Sequence, residues 1–482
     1  LPSFDWEGLV DVKLFSWIAG VALLLAAVFF LRYSIDRGWL MPPVRMVIGI
    51  LVGIGLLTLC ELKAARSYPV TANAMDASAI AILFSTFFAA HALWNLISTV
   101  ASFVLLALVT VIAVLLSIRR DSMFIALLGL LGGFSTPALL STGENRPISL
   151  FGYRLLLNAG LAWIASRKKW PLLTTLSLAF TVLYQWAWVM KFLTAGQLPL
   201  AAGIFLIFPI LIFAGRALGR EEGNQGGWMS LYGQTANVSA TVPLLFAFYS
   251  FSVGPVASVA LWGLALLLLV LSAGLFFEGS VSGVPLVSLA GVVLSWIVLA
   301  VWWGSVNLTA IFLPALIVVA GFAMLALAGN IWLQKQATGD QPSVLANGIF
   351  LGLVGHLFLF IVAGQKSVAI PPWPLLGVLL VLDLAVGVAA LYARRGELHL
   401  AAIIASAFIL MTWTQTATEE PWPAVAILAA GALVLFAFLW IFLARRIRIK
   451  GAFFQGTAAG TVIPAQVIAI VAAVQSGSPA VP

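Results

Sequence analysis

The sequence predicts an all-α fold, a polytopic bundle of transmembrane helices with about 17 spans, within a range of 15–19. Three observations predict it. Apolar residues make up 63% of the chain and charged residues only 8%, against about a quarter charged in a soluble domain. So few charges cannot cover a water-facing surface, and lipid must cover it instead. The apolar residues fall into long runs, and the cations fall between them.

The runs are each near the 17–25 residues that a helix needs to cross a bilayer. The first seven are 14–31, 44–62, 78–97, 98–118, 123–141, 149–166 and 171–193. The third and fourth are continuous except for a polar break near Asn95 and Ser98. Ten more follow: 198–219, 233–251, 255–277, 281–303, 308–333, 344–365, 372–392, 399–414, 422–443 and 455–474. Short connections between them predict antiparallel neighbours. The reading is one integral membrane domain over 1–482, with spans 1–7 in 14–192 and spans 8–17 in 198–474. The chain opens at Leu1, just before a span and without a methionine, which is read as a trimmed or partial chain.

Charge sets the register. With a cytoplasmic start, the even-numbered connections hold Lys63/Arg66, Arg119/Arg120, Arg167/Lys168/Lys169, Arg216/Arg220, Lys335, Arg394/Arg395 and Arg445/Arg446/Arg448/Lys450. Together with Lys13 these are 17 of the 24 cations. Cytoplasmic loops carry such an excess, so the N-terminus is placed in the cytoplasm. The net charge of +8 reports orientation, not nucleic acid. The single cysteine, Cys60, excludes an internal disulfide and thiolate metal clusters. No nucleotide loop, dinucleotide fingerprint or zinc-protease helix occurs, and neither a cofactor nor a metal is expected.

Against this background 129–158, GLLGGFSTPALLSTGENRPISLFGYRLLLN, stands out for its polar content. Its segments 131–137, 141–145 and 150–158, the first span with its exit (27–39), and Ile118–Ser122 resemble the bacterial domain-of-unknown-function 2339 family of polytopic membrane proteins. The resemblance is most specific over 14–192. It implies a multi-pass protein of the bacterial inner membrane and brings no catalytic residues.

Ionisable side chains inside spans cost about 2.5–3.5 kcal/mol on insertion scales, so their presence points to function. The register places His91 and Asn95 in the outer half of span three, and Arg154 and Asn158 in the outer half of span six, each pair one helical turn apart. The loop between spans five and six adds Glu144, Asn145 and Arg146, and the first outer loop adds Asp36. These residues are read as one outward-facing polar pocket. Gly132, Gly133 and Pro137 are expected to weaken span five there. Its freed peptide groups, with Arg154 and Arg146, would grip the phosphate or carboxylate of an anionic lipid or glycolipid.

A second candidate lies deeper. His356 and Asp383 fall near the centres of two successive antiparallel spans, at a depth where they could form a proton-relay pair. His399 is read as part of a basic turn, and Trp302, Trp303 and Trp373 as interfacial belts. The leading functional expectation is a carrier that binds or moves an amphipathic or anionic solute, such as an envelope lipid or glycan precursor. The alternatives are a lipid-linked glycosyl- or acyl-transferase using Asp36 or Glu144, and a non-catalytic membrane scaffold.

Overall fold

Ser98 begins a helix because its Oγ accepts from the amide of Ala101, and Asp121 ends the same helix in the left-handed region at φ 51°. Such caps, with proline at the first turn of many helices, punctuate a chain that is otherwise almost continuously helical. The computed structural model describes residues 12–38, 41–61, 69–141, 143–168, 170–218, 231–252, 261–282, 285–336, 347–449 and 453–477. Eighteen α-helices and no strand occur among them. The basic residues Lys63, Arg66, Lys169, Arg220 and Lys450 lie outside the described residues.

The first seven helices are α1 (Val12–Arg37), α2 (Pro42–Glu61), α3 (Pro69–Ala92), α4 (Thr99–Arg120), α5 (Met123–Leu139), α6 (Pro147–Lys168) and α7 (Pro171–Phe192). Then come α8 (Leu198–Leu218), α9 (Leu231–Ser252), α10 (Leu261–Ser282), α11 (Pro285–Ser305) and α12 (Phe312–Gln336). A 3-10 segment, Gly348–Leu353, leads into α13 (Val354–Ala363), and the four-residue α14 (Lys366–Ala369) follows. The last four are α15 (Trp373–Tyr392), α16 (Gly396–Thr416), α17 (Trp422–Arg446) and α18 (Phe453–Gln475).

Among the described residues, twelve helices are long and apolar enough to cross a membrane, and five shorter apolar helices fall in the remaining five runs. One of the five, Gly348–Ala363, shows how a short segment can still span. Six residues of 3-10 helix at about 2.0 Å and ten of α-helix at about 1.5 Å extend some 27 Å, close to the hydrocarbon thickness of about 30 Å. The tighter winding displaces helical hydrogen bonds, and Trp296 Nε1 donates to the Leu351 carbonyl at 3.1 Å.

Contacts divide the chain into two compact units, Leu1–Phe192 and Leu193–Pro482. In the first, α3 packs against α1, α2, α4 and α5, and α5 against α3, α4, α6 and α7. Small residues on α5 allow this crowding. A Cβ on Gly129 would stand 3.0 Å from that of Ala113 on α4, and one on Gly133 would stand 2.9 Å from Leu157 on α6. Gly132 faces Phe84 of α3 in the same way. The glycines therefore serve close helix packing, and α5 stays helical through Leu139. This corrects the expectation of a weakened segment.

Ion pairs join one end of this unit. Arg119 at the end of α4 meets Glu61 at the end of α2 at 2.6 Å, and Lys168 at the end of α6 meets Asp121 at 2.9 Å. Helices whose C-termini touch run the same way, so α2, α4 and α6 are parallel to one another and antiparallel to the helices between them. We call this the basic end.

In the second unit, α15 packs against α12, α13, α16 and α17, and α16 also contacts α18. The core here is aromatic: Trp302 and Trp303 are 1% and 7% exposed and belong to it. They are not belt residues, because α11 turns them toward buried neighbours, including Phe358, which Trp303 meets edge-on at 5.2 Å. Trp373, at 61% exposed, does lie at the surface.

Candidate functional site

The site begins with a proline. Pro137 has no amide hydrogen, so in α5 it leaves the carbonyl of Gly133, four residues back, without its helical partner. Tyr153 of α6 donates its hydroxyl to that carbonyl at 3.0 Å. The next carbonyl, Phe134, accepts from the Tyr184 hydroxyl of α7 at 2.8 Å. Two tyrosines thus fasten α6 and α7 to the last turn of α5.

Arg154 lies between them. It is completely buried, with its Cζ 3.1 Å from the Tyr184 ring centroid and 5.1 Å from that of Phe134. Its Nη2 reaches the Phe134 carbonyl at 3.5 Å, a distance at the limit of a hydrogen bond. Nε and Nη1 are buried with no partner, and no carboxylate pairs with the guanidinium among the described residues. Cation–π contact is worth about 2 kcal/mol when desolvated, against a cost of several kcal/mol for burying one ion. It does nothing for the two N–H groups, each of which costs about 1–3 kcal/mol unpaired.

Asn158, one turn along α6, donates to Thr181 Oγ1 of α7 at 2.9 Å and to the Arg154 carbonyl at 2.8 Å. Phe180 stacks on Phe134 at 5.3 Å. Toward the end opposite the basic one, Trp188 Nε1 donates to Asn145 Oδ1 at 2.8 Å and meets Phe151 edge-on at 5.9 Å. Arg154 sits about 10 Å inside the start of α6.

Several residues expected in this pocket are elsewhere. Asn95 lies beyond the end of α3 with φ 50° and is exposed, so it does not share a helical face with His91. His91 turns back locally, its Nδ1 3.0 Å from the Ile97 carbonyl. Glu144 and Arg146 pair with each other at 2.7 Å, 58% and 75% exposed, so Arg146 does not join Arg154. The Gly133 carbonyl that Pro137 frees is taken by Tyr153. Asp36 belongs to the last turn of α1, not to a loop, and its side chain lies outside the described residues.

His356 and Asp383 are brought together: Nε2 stands 3.3 Å from Oδ1. Ser406 of α16 also donates to Oδ1, at 2.8 Å. His399 is wholly buried in the first turn of α16, stacked on Trp440 at 4.0 Å. It is a core residue, correcting its assignment to a basic turn.

One cluster was not anticipated. Helix α3 begins nine residues before its apolar run, carrying Asp76 into the bundle. Arg120 Nε meets its Oδ2 at 2.9 Å, and Arg120 Nη2 donates to the Cys60 carbonyl at 2.7 Å. The available signal was Asp76 itself, the acidic residue nearest to the start of the third run.

Twelve long and five shorter apolar helices among the described residues, with a lipid-suited composition, define a polytopic helical membrane protein. The chain belongs to the family of predicted membrane proteins designated DUF2339, which it matches over residues 12–479. No curated protein and no solved structure matches it.

Proposed function

We propose that the protein binds an amphipathic anion at Arg154 and carries it across the bacterial inner membrane, with the N-terminus in the cytoplasm. One observation carries the reading: Nε and Nη1 of a fully buried guanidinium have no partner. An oxyanion with two oxygens fits this fork, because parallel N–H···O bonds satisfy both donors and neutralise the charge. Phe134, Phe180 and Trp188 supply an apolar surround suited to the hydrocarbon part of such a solute. The Asn145–Trp188 hydrogen bond is then the contact that must open to admit it. The carrier reading is preferred to a scaffold, which would satisfy Arg154 internally. It is preferred to a transferase because Glu144 is already paired with Arg146 at the surface.

The test compares purified protein in nanodiscs of zwitterionic lipid titrated with phosphatidylglycerol or with inorganic phosphate. Wild type should bind at least one of these, and Arg154→Gln should bind at least about tenfold more weakly, a loss of about 1.4 kcal/mol. A lipid-headgroup site responds to phosphatidylglycerol alone, whereas a site for small anions responds to phosphate. Equal affinities in wild type and Arg154→Gln would refute the reading.

A further inference from the structure

The second unit holds a buried polar centre with no part in the Arg154 site. Asp383 Oδ1 of α15 accepts from Ser406 Oγ at 2.8 Å and stands 3.3 Å from His356 Nε2. All three side chains are buried. The arrangement is not that of an activated serine nucleophile, since Ser406 gives its proton to the carboxylate and not to the imidazole. With Asp383 ionised, Nε2 carries the hydrogen that Oδ1 accepts, and Nδ1 is the nitrogen with the free lone pair. That atom is buried and has no partner.

A second unpartnered histidine follows in the same helix layer. Both ring nitrogens of His399 are buried without partners. A Cβ on Gly387 would stand 3.8 Å from His399 Nδ1, and Gly387 lies one turn of α15 beyond Asp383, about 6 Å along the axis. His399 therefore sits between the His356–Asp383–Ser406 centre and the turn carrying Arg394 and Arg395. The other ionisable groups on the elements packed against α15 lie near helix ends. They are Glu397 on α16, Lys335 of α12 over the Tyr392 ring at 4.8 Å, and Arg445 and Arg446 at the end of α17. Helix α13 carries only His356. Among the described residues, no lysine or arginine is therefore placed to neutralise Asp383.

We propose that Asp383, His356 and Ser406 form a proton-binding centre loaded at His356 Nδ1. Loading adds one proton to the Nδ1 lone pair while Nε2 keeps its own hydrogen, directed at the carboxylate. The centre passes from a net charge of −1 to 0, and release reverses the step. The 3-10 segment immediately before His356 supplies a place where the backbone can shift between the two states.

The chain has only three histidines, so nitrogen NMR of the full protein, histidine-labelled and in lipid bilayers, resolves each ring once His→Gln variants assign the signals. His356 Nδ1 should pass from its unprotonated to its protonated form across a pH series, with Nε2 protonated throughout. Asp383→Asn removes the carboxylate beside Nε2, Ser406→Ala withdraws a donor from it, and each should shift this transition. Ser406→Ala decides the question if Asp383→Asn does not fold. A His356 ring that keeps one protonation state across the series, or titrates identically in the wild type and in the Asp383 and Ser406 variants, overturns the centre.

Discussion

The guanidinium of the wholly buried Arg154 lies over the Tyr184 ring, its Cζ 3.1 Å from the centroid. The same tyrosine gives its hydroxyl to the Phe134 carbonyl at 2.8 Å. Tyr184 therefore does two jobs: its face stabilises the cation, and its edge holds α7 against α5.

Those two jobs separate by mutation. Tyr184→Phe keeps the aromatic face and loses one hydrogen bond, at a cost of about 1 kcal/mol. Tyr184→Leu loses the face as well and should cost about 2 kcal/mol more. Thermal unfolding in a fixed detergent checks the order. Equal destabilisation would mean that the ring face contributes nothing.

At the basic end, Arg120 compensates a carboxylate that is almost wholly buried, with the Asp76 side chain 1% exposed. Arg120→Gln should destabilise the protein by about 3–5 kcal/mol, the usual cost of orphaning one member of a buried ion pair. Adding Asp76→Asn should restore most of it. Arg119→Gln removes a partner that is 58% exposed and should cost about 0–1 kcal/mol. The unfolding midpoints of the four proteins give the comparison.

The alternation of helix directions can be read chemically. Cys60 is the only cysteine and is buried, so a Cys60→Ala background accepts single reporters. Arg119→Cys and Glu144→Cys stand at opposite ends of α5 and should react with an impermeant maleimide from opposite sides of a sealed vesicle. Labelling from the same side would contradict the fold.

Much of the fold was legible because lipid imposes one requirement on every span, a long apolar run, and because cations gather at alternate connections. Depth arguments then placed Arg154 and Asn158 one turn apart, and brought His356 and Asp383 to the same level. Side-chain direction was not legible. Tyr184, Trp302 and Trp303 look the same in a sequence whether they face lipid or the interior. Helix ends were also obscure. Asp76 reads as part of a loop until α3 is seen to start at Pro69. Asn95 reads as helical until its left-handed backbone is seen. The most consequential miss came from α5: Pro137 does free a carbonyl, but what it recruits is Tyr153, 20 residues on, and no local pattern encodes that pairing.

The central claim is that the unfilled donors of Arg154 receive an anion. The most direct measurement is a cryo-electron microscopy map of the full chain in nanodiscs containing phosphatidylglycerol. It should show headgroup density within about 3 Å of Nε and Nη1, absent from the corresponding map of Arg154→Gln. Well-defined Arg154 density with no headgroup beside it, in a bilayer rich in that lipid and with phosphate present, would contradict the claim.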